Sequence, residues 1–532
     1  MPKIIIKEID ETVAGESANE VDIAYIPGFA ATNANIYIYN AIGAGPDETT
    51  PGRAHEDTDT YDTIAYVDPD NPTEYKAPSI AVNIVDRKIW FSLDNGTTDV
   101  ESGVTTYTWE EQTEVAYTSP SPENYPTLCT TVADFENLFG KNPYQFEAAQ
   151  EYPTFTPAVL PSTMYPANAY EKSYIMAKEL INAGIPVLYE NVVSRTDGKK
   201  NIPTVAQMYA AFEGIADDPS TEGVDEYVPS IFEELKDKGT FSVKYITSGA
   251  YPVFEYGVDG TNLNGLVAKM KDVASTRGDA VALIDHSNYP GRSLKSTDSN
   301  SVFYAAQSVF SGTDPTTSLD KYCAMFTPWA TYSLPNTPAG ASTQVLPASF
   351  AFLISLGRSI QTNANWLAIA GVARGQVPYI VSLNTSERLT NTIADSYQGR
   401  TGVAINAITE IRPYGLTIWG NRTCLKNVDN LVASSFLNIR NLVSDVKKLA
   451  YDTAKRAMFE QNSTVLWLNF KSAITPLLDR MQSGYGISGY KIIRQTTTEK
   501  AKVVALIRLY PVYAVEEFEI TVIMSDEDVS VQ

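Results

Sequence analysis

The residues of this chain that could carry proton or covalent chemistry are few, and their spacing argues against most of it. There are only two histidines, His55 and His286, in 532 residues. His55 lies between Arg53 and Glu56 in an acidic stretch, where an exposed loop histidine is the default. His286 follows Asp285 at the end of the apolar run Val281-Ala282-Leu283-Ile284. Open α/β sheets place ligands beyond strand ends of that kind, so Asp285-His286-Ser287 is the one place where an acid/base pair could sit. No Gly-x-Ser-x-Gly elbow accompanies it and the sequence holds no histidine-rich ligand set, so no catalytic residue and no metal ligand is assigned. Phe139-Gly140-Lys141 lacks the earlier glycine and the Ser/Thr of a phosphate loop, and no cofactor is expected. Cys129, Cys323 and Cys424 are too far apart for a disulfide framework or metal cluster and fit folding in a reducing cytoplasm. The Asn-x-Ser/Thr sites at Asn95, Asn384, Asn421 and Asn462 matter only in a secreted chain.

What remains is the chemistry of association, which is written in charge. The chain carries 40 Lys+Arg against 63 Asp+Glu, a net charge of −23. Its pI near 4.6 excludes general nucleic-acid binding, because phosphates are repelled. Residues Ile411 to Val515 reverse the sign, with 15 Lys+Arg against 6 Asp+Glu, net +9. A basic module in so acidic a chain points to a dedicated acidic partner, although a solvated helix face is the plainer reading of any single lysine. Within it, Val432, Phe436, Ile439, Val443, Val446 and Ala450 recur at spacings of four and three, predicting an amphipathic helix over about 431–459. Arg440, Lys447, Lys448 and Lys455 form a second stripe beside that apolar face. At the ends of the chain, Lys3-Ile4-Ile5-Ile6-Lys7 and Glu517-Phe518-Glu519-Ile520-Thr521-Val522 read as two short strands of opposite charge. Their cross-strand pairs would contribute about 0.2–1 kcal/mol each, whether within one sheet edge or between chains.

The elements that must position these residues form an α/β and α+β multidomain chain. Hydrophobic residues are 44% and charged residues 19%, a globular balance, and the length suits two to four domains. The 11% aromatic content, with 32 Tyr, suits β-structure and broad contact surfaces. No apolar run reaches about 18 residues, and the N-terminal one is too short for a signal peptide, so no membrane insertion is expected. Residues 41–125 hold 17 Asp+Glu against 4 Lys+Arg and short β-rich runs such as Ala81–Leu93 and Val104–Tyr117, which predicts an acidic β-rich outer insertion. From Val132 helices alternate with strands: helix Tyr170–Ala183, strand Ile185–Val193, helices Val205–Ile215 and Ile231–Asp237, strand Phe241–Thr247. Helix Leu266–Thr276, strand Ala280–Asp285, helix Ser301–Ser308, strand Cys323–Phe326 and helix Ser349–Thr362 follow, together an α/β middle domain with a sheet flanked by helices.

An ordered series of segments resembles the contractile tail sheath proteins of myophages and related contractile injection machines. It runs through Gly415–Thr423 (GLTIWGNRT), Asn438-Ile439-Arg440-Asn441-Leu442, Met458–Ser463, Leu466-Trp467, the glycine-rich Leu477–Gly489, and Val504–Val522 with its break at Pro511. Looser echoes are Ala133–Gly140 and Phe326–Ala330, while Trp366–Val377 departs from the family pattern. The resemblance implies an N-terminal arm over 1–20, a sheath core domain from 21–40 and 411–515, the insertion over 41–125, a middle domain over 126–410 and a C-terminal arm over 516–532. It implies a non-enzymatic structural protomer of the virion tail, assembled in the host cytoplasm. Such protomers stack as hexameric rings around an inner tail tube protein, between baseplate and tail terminator, and contract to drive the tube through the target envelope. The arms then complete sheets in neighbouring copies, and the stripe Arg440, Lys447, Lys448 and Lys455 is expected to face the tube. Two alternatives stay open on sequence alone: a surface-binding or adhesion protein acting through the acidic insertion, and an α/β hydrolase using Asp285 and His286.

Overall fold

The computed structural model describes residues 22–28, 125–139, 169–191, 234–250, 264–285, 309–335, 343–385, 402–427 and 431–515. It also describes isolated positions between them and the backbone of strands within 61–112 and 194–201. The central element is an eight-stranded sheet in the order Gly415–Trp419, Asn406–Ile411, Cys323–Thr327, Val281–Asp285, Tyr245–Ile246, Ala24–Gly28, Val187–Asn191, Thr127–Cys129. The six inner strands are parallel, and one antiparallel strand closes each edge. Strands such as Val281-Ala282-Leu283-Ile284-Asp285 and Cys323-Ala324-Met325-Phe326-Thr327 are continuous apolar runs because both faces are covered.

Period-two alternation divides the side chains between two cores. Tyr25, Leu188, Ile246, Ala282 and Met325 face helix Asn264–Arg277 through Val267, Met270 and Val273. Ala24, Val187, Tyr245, Leu283 and Phe326 face helices Val132–Phe139, Ala169–Asn182 and Ala348–Ile360. The last of these is buried all round, from Ala348 to Leu356, and mostly apolar, because it is enclosed on every side. A third core, around Trp366, Phe436, Ile439, Leu442, Leu478, Met481 and Leu509, belongs to the C-terminal module.

The predicted α/β alternation is present, with local changes. Of the expected element Ile231–Asp237, residues 231–233 lie outside the described residues and Glu234–Lys236 is a 3-10 turn, after which the Asp237 carboxylate accepts hydrogen bonds from Gly239 N and Thr240 Oγ1 and turns the chain. The expected strand Phe241–Thr247 is only Tyr245–Ile246. The expected helix Val205–Ile215, and most of Ser301–Ser308, lie outside the described residues. Ala24–Gly28 sits deep in the large sheet, parallel to neighbours on both sides, because its residues are apolar on both faces. The hairpin Asn406–Ile411/Gly415–Trp419 straddles the 410/411 boundary and extends the same sheet. Within 41–125, the strands Tyr61–Asp68, Asn71–Asn83, Ile89–Ser92 and Trp109–Gln112 make a four-stranded antiparallel sheet.

Candidate assembly interface

The basic helix is Leu437–Arg456, shorter than the 431–459 expected. Phe436 is extended (φ −104°, ψ 126°), which separates the helix from the 3-10 turn Ala433–Ser435, and Phe459, at φ 68°, lies beyond its end. The run Gly420-Asn421-Arg422-Thr423 is the joint that starts it. The Asn421 backbone carbonyl accepts from Leu437 N (3.1 Å), and its Oδ1 accepts from Asn438 N (3.1 Å), capping two of the helix's orphan amides. The Arg422 guanidinium lies 4.4 Å from the Phe436 ring centroid, and Thr423 Oγ1 donates to Ser434 O. Gly420 is required because a Cβ there would meet Asn406 at 2.8–2.9 Å, and Asn406 holds Arg422 N and O by its side chain.

From this joint the helix lies across the amino ends of the parallel strands. Its partners are Asp22, Lys244, Gly278 and Tyr322, each within three residues of a strand's first residue. Lys244 Nζ is 2.5 Å from Asp22 Oδ1 and 2.7 Å from Asp445 Oδ1, and all three side chains are at most 2% exposed. Burial alone would lower the Lys244 ammonium, but the facing Asp22 and Asp445 reverse this and hold it well above the usual lysine range. Burial lifts Asp445 above the usual carboxylate range despite the ammonium. The two directions agree on a charged Lys244 shared between two desolvated acids.

The four basic residues expected to face a tube are not one solvent-facing stripe. Arg440 is 1% exposed, stacks 4.4 Å over Tyr322 and points Nη2 toward Gly278 O at 3.4 Å. Lys448 is 5% exposed and reaches Ser242 Oγ at 3.4 Å. Half-buried Lys447 donates to Gly278 O at 2.8 Å, neutralising the carbonyl end of helix Asn264–Arg277. Only Lys455, of the four, is exposed. The stripe meets the sheet while the adjoining apolar face, Ile439, Leu442 and Val446, packs on helix Thr464–Ser483 in the third core.

The outer half of the module is that second helix and the hairpin Ile487–Gln495/Val504–Pro511. The hairpin starts at Gly484 and Gly486, where a Cβ would come within 2.4 Å and 2.9 Å of the Trp366 ring, while Trp366 Nε1 donates to Gly484 O. Lys491, Arg494 and Arg508 on the strands, and Lys500 and Lys502 in the connection, are exposed. So are Phe459, Val465 and Leu468, at 88%, 64% and 55%. The hairpin is a sheet of two strands, and no third strand joins it among the described residues. The expected arm residues Lys3, Ile4, Ile5, Ile6, Lys7, Glu517, Phe518, Glu519, Ile520 and Val522 lie outside the described residues.

At the opposite, carboxyl end of the sheet, Asp285 is fully buried and accepts from Ser349 N (2.7 Å) and Ser349 Oγ (2.5 Å), capping helix Ala348–Ile360. Burial pushes its carboxyl up to about 7, against the pull of those hydrogen bonds. This is a helix cap, not an open acid/base site; His286, Ser287 and His55 lie outside the described residues. The three cysteines are buried free thiols. Among the described residues no cluster of His, Cys, Asp or Glu could hold a metal, and no helix is long and apolar enough to cross a membrane.

No family model matches the chain. The tail sheath protein of Vibrio phage KVP40 is 27% identical over 146 residues, which are 27% of this chain and 20% of the length of that relative. The chain is thus a homologue, over that segment, of a phage tail sheath protein. Among solved structures, the contracted helical sheath of the anti-feeding prophage aligns over 99% of both chains at 14% identity and a TM-score of 0.46. The contracted PVC sheath complex, an extracellular contractile injection system, covers 78% of this chain and 90% of its own at 15% identity and 0.47.

Proposed function

We propose that this chain is the structural protomer of a contractile tail sheath. It stacks as hexameric rings around an inner tail tube and contracts to drive the tube through a target envelope. Baseplate and tail terminator bound the stack, and the protein resides in the virion tail after assembly in the host cytoplasm. Contraction needs no covalent chemistry, since rigid protomers that bury more complementary surface in the contracted arrangement release free energy by repacking.

The observation that carries this reading is the two-stranded hairpin Ile487–Gln495/Val504–Pro511. The hairpin packs against helix Thr464–Ser483, and its outer ladder edges, which no described strand joins, are templates for further strands. The arms Lys3–Lys7 and Glu517–Val522, of opposite charge, are the proposed complement, lent between copies by strand addition. The contact with a tube, by the same reading, uses exposed bases of the module, Lys455 among them. Arg440, Lys447 and Lys448 serve instead to hold the module on its body.

Negative-stain microscopy of the purified full-length protein tests the proposal directly. Hollow tubes or stacked rings are the expected result, and removing residues 1–20 should abolish them while leaving a folded monomer. A protein that stays monomeric at high concentration, with or without a tube to template it, would refute the reading.

A further inference from the structure

The Lys244 cluster at the amino end of the sheet holds more than a buried ion pair needs. One ammonium and one carboxylate would make a neutral pair, yet a second carboxylate is enclosed with them, and the three side chains are 0%, 2% and 1% exposed. The backbone fixes their approach. Lys244 N and Tyr245 N both donate to Ile23 O, at 2.9 and 3.1 Å, which sets Asp22 and Lys244 side by side at the starts of neighbouring parallel strands. Asp445 comes from the docking helix Leu437–Arg456. Lys244 Nζ meets the two acids differently. It donates to Asp445 Oδ2 at 2.8 Å, and Asn365 Nδ2 holds that same oxygen at 3.3 Å. Asp22 Oδ1, at 2.5 Å, is nearer than a charge-assisted bond of about 2.7–2.9 Å requires, and it has no other hydrogen-bond partner among the described residues. The Asp22 carboxyl carbon is at most one C–O bond further from Nζ, close to the near-attack range of about 3–3.5 Å. An amine, a carboxyl carbon and a second acid, held this closely without water, are the parts of an amide condensation.

We infer that Lys244 and Asp22 condense into an intramolecular isopeptide bond, with Asp445 carrying the protons. Nζ passes one proton to Asp445 and, as a neutral amine, attacks Asp22 Cγ. The new N–C bond forms and one Cγ–O bond breaks. The oxygen leaves as water with two protons, both taken from Nζ and relayed by Asp445. Asp445 returns to its starting state, no electrons are exchanged and no co-reactant is needed. Lys244 is charged at rest, so the reaction is slow and follows folding. Burial favours the rest of the path. It raises the Asp445 carboxyl, which therefore takes up a proton more readily than an exposed acid. Groups held in place replace a bimolecular encounter. The product is a neutral amide where two desolvated charges stood, which relieves the cost of burying them. The charged triad is the reactant, and its ion-pair energetics are those of the unreacted chain. Under the proposed function, the bond carries tension from the N-terminal arm directly into the sheet.

Intact-mass spectrometry of the purified full-length protein, with tandem spectrometry of a tryptic digest, is the test. The aged wild type should weigh one water less than its sequence requires, and the digest should contain a branched peptide joining Lys244 to Asp22. Asp22→Asn offers ammonia in place of water as the leaving group, so its mass should fall by one ammonia. Lys244→Arg keeps the cation and should keep its full mass. Asp445→Asn should slow the reaction about a hundredfold or more, while the exposed control Arg412→Ala reacts as the wild type does. Thermal melts confirm that each variant is folded, and the wild-type mass is informative even where a variant is not. A wild type that keeps its full mass after days at neutral pH, or that loses water without yielding the branched peptide, would overturn the inference. So would an Asp445→Asn chain that reacts at the wild-type rate. The mass is the same in monomers and assemblies, so this result stands apart from whether the protein forms a sheath.

Discussion

Replacing Lys244 by methionine is the sharpest single perturbation of this fold. Lys244 is the only cation within 3 Å of either Asp22 or Asp445 in the ion pairs described, at 2.5 and 2.7 Å, and the three groups are 0%, 2% and 1% exposed. Removing it leaves two desolvated carboxylates facing each other, with Asn365 Nδ2 at 3.3 Å as Asp445's remaining side-chain donor of the contacts named here. Breaking a buried ion pair on one side costs about 3–5 kcal/mol, whereas an exposed pair is worth about 0–1. Arg412–Glu410, whose side chains are 76% and 44% exposed, is the internal control. Lys244→Met should therefore shift the unfolding equilibrium of the body by about two to three and a half powers of ten, and Arg412→Ala by less than one. The triple variant Asp22→Asn, Lys244→Met, Asp445→Asn removes charge from both sides and should recover most of the loss. Urea unfolding followed by tryptophan fluorescence reads all three. The deficit also has a pH signature. Without the ammonium, burial raises the folded-state carboxyl further, so the lost stability returns as pH falls toward the unfolded carboxylate range near 4. A Lys244→Met protein that unfolds like Arg412→Ala, or whose deficit is independent of pH between 7.5 and 5, about the window in which such acids titrate, would refute the reasoning.

Three further outcomes follow from the same geometry. Gly486→Ala drives a Cβ to within 2.9 Å of the Trp366 ring, so it should cost about 1–3 kcal/mol by overpacking and expose the hairpin to limited proteolysis before the body unfolds. Lys447→Glu with Lys448→Glu should lower the melting temperature of the unassembled protomer, because both lysines are bonded inside it; a normal monomer with defective assembly would place them at an outer contact instead. Glu190, buried against Tyr25 Oη at 2.6 Å, is pushed by burial up to about 8 from 4.5, and Asp285 to about 7 from 3.8. The folded state thus holds extra protons over these intervals, and stability declines as pH rises through 7 and 8. Glu190→Gln should flatten the upper part of that decline in melting curves taken across the same range.

The docking helix shows what a sequence can and cannot convey. The spacing of Ile439, Val443 and Val446 located the helix, and the positions of Arg440, Lys447 and Lys448 on an adjoining face were also legible, since both follow from the helical period. Periodicity reports which residues share a face and says nothing about what lies opposite. Here the opposing groups are Asp22, Lys244, Gly278 and Tyr322, more than a hundred residues away in the chain, and only the topology of the sheet gathers them at one end. The same limit applies to Asp285: its place at a strand end was visible, but the amide and hydroxyl of Ser349 that turn it into a cap were not. The depth of Ala24–Ile26 in the sheet likewise depends on partners at Val187 and Tyr245, far off in the chain. This also changes the meaning of the module's basic excess. The cations nearest the body are consumed in joining the module to the amino end of the sheet and to the carbonyl end of helix Asn264–Arg277, where burial makes them less sensitive to salt. The exposed ones, on Lys455, Lys491, Arg494 and Arg508, lie in solvent, where salt screens them. Under the proposed function, a module fixed inwardly by the first set would exchange outer contacts made by the second without loosening its own core.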